Sequence, residues 1–334
     1  MRIPILTILL ILPMISNVHA QNQDSVQNTN TVSRYIHFVD SLFIDRNPTH
    51  YSIRLFSSYK DRSFTLQNSS DQIRYTPNNK GGIGIGFANT KINIDLGINI
   101  KNDDDVTERF DFETNLTLNK STIGLSIQHY KGYNLESASS PESIFREDIS
   151  SLSMNVSYVR LFNSEQLSIG SIINGVSRQK KSAYSFGFGG VVGYNRTDAD
   201  SSLVSISRRN DFNEFAEITN INEFGIMALG QLNGVLVLPY NLFLTASFVP
   251  GFGLSFKNVV TESDEYKPEN PVVYSLGMRG ALGFNFNRFY TLLSYDGIFG
   301  SSDLGYKNEM ELRVNKFKFV VGYKLFNEKA SSNN

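Results

Sequence analysis

The chain has no cysteine and no tryptophan. A disulfide scaffold, a thiolate metal site and a cysteine nucleophile are therefore excluded. Histidine is scarce as well: past the first twenty residues only His37, His50 and His129 remain. Charge of one sign is missing too, with 31 Lys and Arg against 32 Asp and Glu. No global field steers nucleic acid or an acidic partner towards such a chain. Long apolar runs are absent after residue 20, where nothing approaches the ~18 consecutive apolar residues of a membrane helix. What the chain does have is 25 Phe, 16 Tyr and 25 Gly, with abundant Ser and Asn. That composition favours an all-β chain with many turns.

The first twenty residues carry Arg2, an apolar stretch from Ile3 to Ile15, and small residues at Val18-His19-Ala20. This predicts a cleaved export signal over 1–20, with Gln21 as the mature start. Residues 21–48 are expected to form a polar periplasmic segment, rich in Asn and Gln at first. Its later part, Arg34 to Asp45, reads as either a short amphipathic helix or an extended lead-in. A barrel over 49–326 and a tail over 327–334 complete the expected organisation.

The clearest pattern is Lys91-Ile-Asn-Ile-Asp-Leu-Gly-Ile-Asn-Ile-Lys101. Isoleucine or leucine occupies 92, 94, 96, 98 and 100, and every residue between is polar or glycine. A period of two defines a strand with one apolar and one polar face. Similar alternation recurs from Tyr51-Ser-Ile-Arg-Leu55 to Phe317-Lys-Phe-Val-Val-Gly-Tyr-Lys-Leu325. Short turns are expected at Asn89-Thr90, Asn119-Lys120, Asn163-Ser164, Pro239-Tyr240 and Asn287-Arg288. Longer polar loops are expected near 102–108, 134–148, 257–270 and 300–308. Short turns at one end and long loops at the other characterise outer-membrane barrels. Keeping that order requires an extra short strand near Leu203-Val-Ser-Ile206. The count is then about 14 strands, an all-β transmembrane antiparallel up-and-down β-barrel, with 12 as the alternative.

Residue size indicates which face meets lipid. The polar face is rich in Gly, Ser, Asn and Thr rather than long Lys and Glu, whereas a solvated exterior carries more charge. The charges on it, Arg54, Asp95, Asp111, Glu113, Arg279 and Lys318, are the candidate lining of an inner lumen, paired across it. Tyr130, Tyr133, Tyr158, Tyr184, Tyr194, Tyr240, Tyr295 and Tyr323 are assigned to interfacial girdles.

Motifs with chemical potential take plainer readings. The alternate glycines of Gly82-Ile-Gly-Ile-Gly-Phe87 belong to a strand, and no helix follows, so they do not form a phosphate-cradling loop. His129 shares a face with Ile123, Leu125 and Ile127, while Ser126 lies on the other, which argues against a catalytic pair. Asp103-Asp-Asp105 and the Glu262–Glu265 cluster lack calcium-loop spacing. Arg178, Lys180 and Lys181 are positioned to meet lipid phosphates. No catalytic, cofactor-binding or metal-ligating residue is assigned.

Several ordered stretches resemble one family: Ile53-Arg-Leu-Phe56, Tyr75-Thr-Pro-Asn78, His129-Tyr-Lys-Gly-Tyr-Asn-Leu135, Lys180-Lys-Ser-Ala-Tyr-Ser-Phe186, Asp200-Ser-Ser-Leu203, Asn241-Leu-Phe-Leu-Thr245 with Gly251-Phe-Gly253, and Arg279-Gly-Ala-Leu-Gly-Phe284. Together they are similar to the domain of unknown function 4421 family of Bacteroidota, over about Arg34 to Phe326. Thr76 stands where that family's Tyr-Arg-Pro-Asn segment has Arg. The resemblance implies an outer-membrane β-barrel and no particular activity. The sequence reading is thus a passive pore or binding barrel for small hydrophilic solutes, in contact with outer-membrane lipid and inserted by the assembly machinery. A structural or adhesive barrel with a closed lumen is the alternative, and an interfacial lipid-modifying enzyme ranks below it.

Overall fold

The computed structural model describes residues 43–45, 50–89, 91–99, 107–118, 120–137, 140–168, 178–286 and 288–326. All of them belong to the unit Val39–Asn334. The expected export signal over 1–20, the 327–334 tail and the Asp103-Asp-Asp105 cluster lie outside the described residues, as does most of 21–48.

Period-two segments become strands throughout. In chain order they are β1 (Ile44–Asp45), β2 (His50–Gln67), β3 (Gln72–Thr76), β4 (Gly81–Asn89), β5 (Ile92–Asn99) and β6 (Glu108–Leu118). Next come β7 (Ser121–Ser137), β8 (Ser140–Leu161), β9 (Arg178–Gln179), β10 (Ala183–Asp198) and β11 (Ile218–Val237). The last are β12 (Leu242–Thr261), β13 (Glu265–Tyr266), β14 (Val272–Asn285), β15 (Phe289–Gly305) and β16 (Asn308–Phe326). Fourteen of these form one sheet, and β1 pairs separately with β9.

Twelve long strands of the sheet pair antiparallel with their sequence neighbours, from β2–β4 round to β15–β16. The last also pairs with the first, β16 with β2, from Glu309↔Gln67 to Phe326↔His50. The pairing therefore runs in a ring. The two remaining sheet strands, β3 and β13, are short additions off the ring, so the ring itself has twelve strands, the alternative count, rather than fourteen.

Height varies around this ring. The nine residues of β4 suit the 9–11 that a tilted strand needs to cross a bilayer core, whereas β8 has 22. Above the short β4–β6 wall, β3 fills the gap by pairing with β2 on one side and β7 on the other. The expected loops at 134–148 and 300–308 are accordingly largely strand, because the ladder continues into tall hairpins.

The expected strand at Leu203–Ile206 does not exist. Residues 206–211 form a 3-10 turn, and Leu203 and Val204 are fully buried in an apolar cluster. Chain order is preserved in another way: β8 ends at Leu161 and β10 begins at Ala183 and pairs antiparallel with it, so the chain between them starts and finishes at the short-turn end. Asn163-Ser164 is part of it rather than a tight hairpin. The true tight hairpins include Tyr240-Asn241 and Tyr306-Lys307, with φ of 60°, 62°, 52° and 65°. These are the left-handed values of a type I′ turn, which matches strand twist.

Candidate functional site: the charged interior

Polarity is inverted relative to a soluble protein. On β2, Leu55 is 64% exposed and Arg54 only 2%. Exposed apolar residues continue around the ring, among them Ile85, Leu96, Val156, Phe188, Ile226, Phe252, Met278, Leu293 and Phe319. Soluble monomers rarely leave contiguous apolar patches beyond a few hundred Å².

All six sequence-predicted charges face inward, each in an ion pair. Arg54 pairs with Asp95 at 2.6 Å, and Lys318 reaches the other oxygen of Asp95 at 2.5 Å. Lys60 pairs with Asp111 at 2.6 Å and Glu113 at 3.5 Å, and Lys316 with Glu113 at 2.7 Å. Arg109 also holds Asp111, while Arg279 holds Asp296 across β14–β15. The structure thus joins Arg54, Asp95 and Lys318 in one group, and Asp111 with Glu113 in a second through Lys60. Arg279 stands apart with Asp296.

The network's other members, Lys60, Arg62, Arg109, Asp296 and Lys316, were missed in the sequence. Lys316 precedes Lys318 by two and was legible by parity. Lys60 and Arg62 were hidden because Tyr59-Lys-Asp-Arg62 places charge on both faces.

Small residues make room for these heads. A Cβ at Gly86 would collide with the Arg54 and Asp95 side chains, and one at Gly84 with the Phe56 ring. The glycine alternation in β4 is thus a steric fit to inward side chains. Tyr130 and Tyr133, expected at the interfaces, are instead buried inside. The Tyr130 hydroxyl donates to Asp111, and its ring lies within 6 Å of Lys60, Arg62 and Arg109. The surrounding cations and carboxylate draw this tyrosine inward. Tyr158, Tyr184, Tyr240 and Tyr323 do stand exposed on the outside.

Both ends of the interior are covered by the chain's own connections. At the short-turn end, Leu167 packs against inward Phe56, Phe243, Tyr290, Leu292 and Val320. Gln179 fixes that connection by donating to the Gln166 and Lys181 carbonyls and accepting from the Ser168 amide. A cavity of about 300 Å³ remains there, lined in part by Arg178, Lys180, Tyr240, Asn241, Phe243 and Asn285. Lys181 lies over the Phe43 ring instead.

At the other end, Leu203, Val204, Phe212 and Ala216 pack on Phe64, Tyr75, Tyr133 and Ile149. The Tyr75 hydroxyl donates to the Leu203 carbonyl, and Arg146 to the Ser201 and Ser202 carbonyls. Arg208 pairs with Asp71 and Asp211, and Arg209 with Glu217 and Glu262. Glu262 is thus half of a clasp. The hydrogen bond from Arg209 holds its carboxyl below the usual range, with help from the Ser202 amide.

His129 is exposed on the outer face, opposite Phe110 and Leu152, with Ser126 on the inner face. Among the described residues, no group of three His, Cys, Asp or Glu side chains could hold a metal ion.

The fold and its interior define an all-β, antiparallel ring with an apolar outside and an ion-paired inside. The chain belongs to the family described as "Domain of unknown function (DUF4421)", whose model matches residues 39–325. No curated protein matches it. Among solved structures it is similar to the outer membrane protease OmpT from Escherichia coli at 9% identity, covering 84% of this chain and 98% of that one, with a TM-score of 0.41. The translocator domain of the autotransporter NalP from Neisseria meningitidis matches at 11% identity over 89% and 95%, also with 0.41. OmpT of Vibrio cholerae matches at 9% identity over 84% and 97%, with a TM-score of 0.31.

Proposed function

We propose that the protein is a transmembrane β-barrel of the bacterial outer membrane, with a polar interior that is closed at rest. The observation that carries this reading is the alternation on β2, where Tyr51, Ile53 and Leu55 are exposed while Ser52, Arg54 and Phe56 are buried. Only a hydrocarbon surround makes an apolar outside and a charged inside favourable together, and a closed ring leaves no unpaired edge within it. The alternating β16 is the strand that the outer-membrane assembly machinery would meet during insertion.

The closed interior favours a gated or binding barrel over a freely open pore. Leu167 enters from one end and the 199–217 connection from the other, with ion pairs between them. Hydrophilic solutes would pass only if the 199–217 connection moved. No enzymatic role is assigned, since His129 stands beside apolar residues on the outer face.

Single-channel conductance of refolded protein in planar bilayers tests this, after heat-modifiable gel migration has shown a folded barrel. The expected record is silent or brief in its openings, and becomes conducting when Arg208 and Arg209 are both replaced by Ser. A steady large conductance of the wild type would overturn closure.

A further inference from the structure

The seam where β2 meets β16 carries six inward cations. Arg54, Lys60 and Arg62 lie on β2, and Lys316, Lys318 and Lys324 on β16. Lys60 and Lys316 are direct cross-strand partners. Like charges placed opposite each other are unfavourable, and Glu113 bridges them at 3.5 and 2.7 Å. Lys324 stands apart, donating to Asn285. Arg109 joins the other five as a sixth cation, and among the described residues the carboxylates that pair with these six are Asp95, Asp111 and Glu113.

Arg62 is the extreme case. It is 4% exposed and has no carboxylate at ion-pairing distance among the described residues. Its head donates to Ser151 Oγ at 2.7 Å and Tyr133 Oη at 3.4 Å, lies 5.4 Å from the Tyr130 ring centre, and leaves Nε without a partner. A buried guanidinium without a counter-ion is a costly arrangement. An excess of six cations over three carboxylates, inside a low-dielectric wall, attracts mobile anions. The interior has room for them, because inward-facing Arg279 and Ile298 are 42% and 50% accessible.

We propose that this seam binds small oxyanions, carboxylates or phosphates, and forms their path when the 199–217 connection is displaced. The proposal rests on the barrel reading above and adds the class of solute. A planar guanidinium, with its N–H donors in a fixed fork, suits oxygen acceptors better than a spherical halide. The cations descend at even positions on both strands, so an anion leaving Arg62 meets Lys60, then Lys316 and Lys318.

The test takes full-length refolded protein in zwitterionic lipid, with gel migration first showing that the barrel has formed. Inorganic phosphate, with sodium chloride at matched ionic strength as control, is titrated against the thermal unfolding midpoint. The midpoint should rise with phosphate, and the rise should be lost in Arg62→Gln and halved or more in Lys316→Gln. In the clasp-free double variant under a potassium chloride gradient, chloride permeability should exceed potassium several-fold and fall towards parity on Lys60→Gln. An equal response of wild type and Arg62→Gln to phosphate, or a cation-selective current, would overturn the proposal while leaving the barrel itself standing. A chain that never shows a folded barrel would instead refute the reading beneath it.

Discussion

Asp95 shows how closely the interior charges depend on one another. It is the carboxylate for both Arg54 and Lys318, so Asp95→Asn leaves two nearly buried cations without their counter-ion. Breaking a buried pair costs about 3 kcal/mol or more, and the loss should appear in urea unfolding of the refolded protein. His129→Ala is the contrasting substitution. Its ring is exposed on the outer face, so stability should change by less than about 0.5 kcal/mol, and envelope lipid composition should not change at all. Period-two parity was enough to assign Arg54, Asp95, Asp111, Glu113, Arg279 and Lys318 to the inner face. Parity does not reveal distance across the ring, so the pairing of Arg54 with Asp95, 41 positions away, was not legible. Tyr130 follows outward His129 and is inward by the same parity; its assignment to the interface follows aromatic type instead, and its cation partners were not legible.

At the level of elements, strand placement was largely readable and the connections were not. Strands report themselves by alternation, whereas a connection folded back into the ring carries no periodic signal. The expectation of a strand at Leu203-Val-Ser-Ile206 rests only on keeping the order of short turns and long loops; Leu203 and Val204 are instead buried in the cluster with Tyr75 and Phe212. The clasp holding this connection makes a pH prediction. The Glu262 carboxyl is held low chiefly by Arg209, so its contribution is present above the unfolded carboxylate value. It is lost as pH falls through the lower folded value. Amide exchange over 199–217, corrected for intrinsic rate, should accelerate below about pH 4. Glu262→Gln should show part of that acceleration at neutral pH. Unchanged exchange in both conditions would remove Glu262 from the clasp. The outer face of β12 gives a second element-scale prediction. Phe252→Arg should destabilise the folded barrel by roughly 2–4 kcal/mol, the cost of a midplane cation in lipid.

For the molecule as a whole, orientation of the two faces decides everything else: the membrane location, the meaning of the ion pairs and the need for a gate. The absence of cysteine makes this directly measurable, because any introduced thiol is unique. Single cysteines at positions 51 to 59 of β2, spin-labelled and reconstituted in liposomes, report collision with oxygen in lipid and with a nickel chelate in water. Oxygen accessibility should peak at 51, 53, 55, 57 and 59 and fall at the even positions between them. An inverted alternation, or none, would contradict a barrel with its apolar face to the membrane.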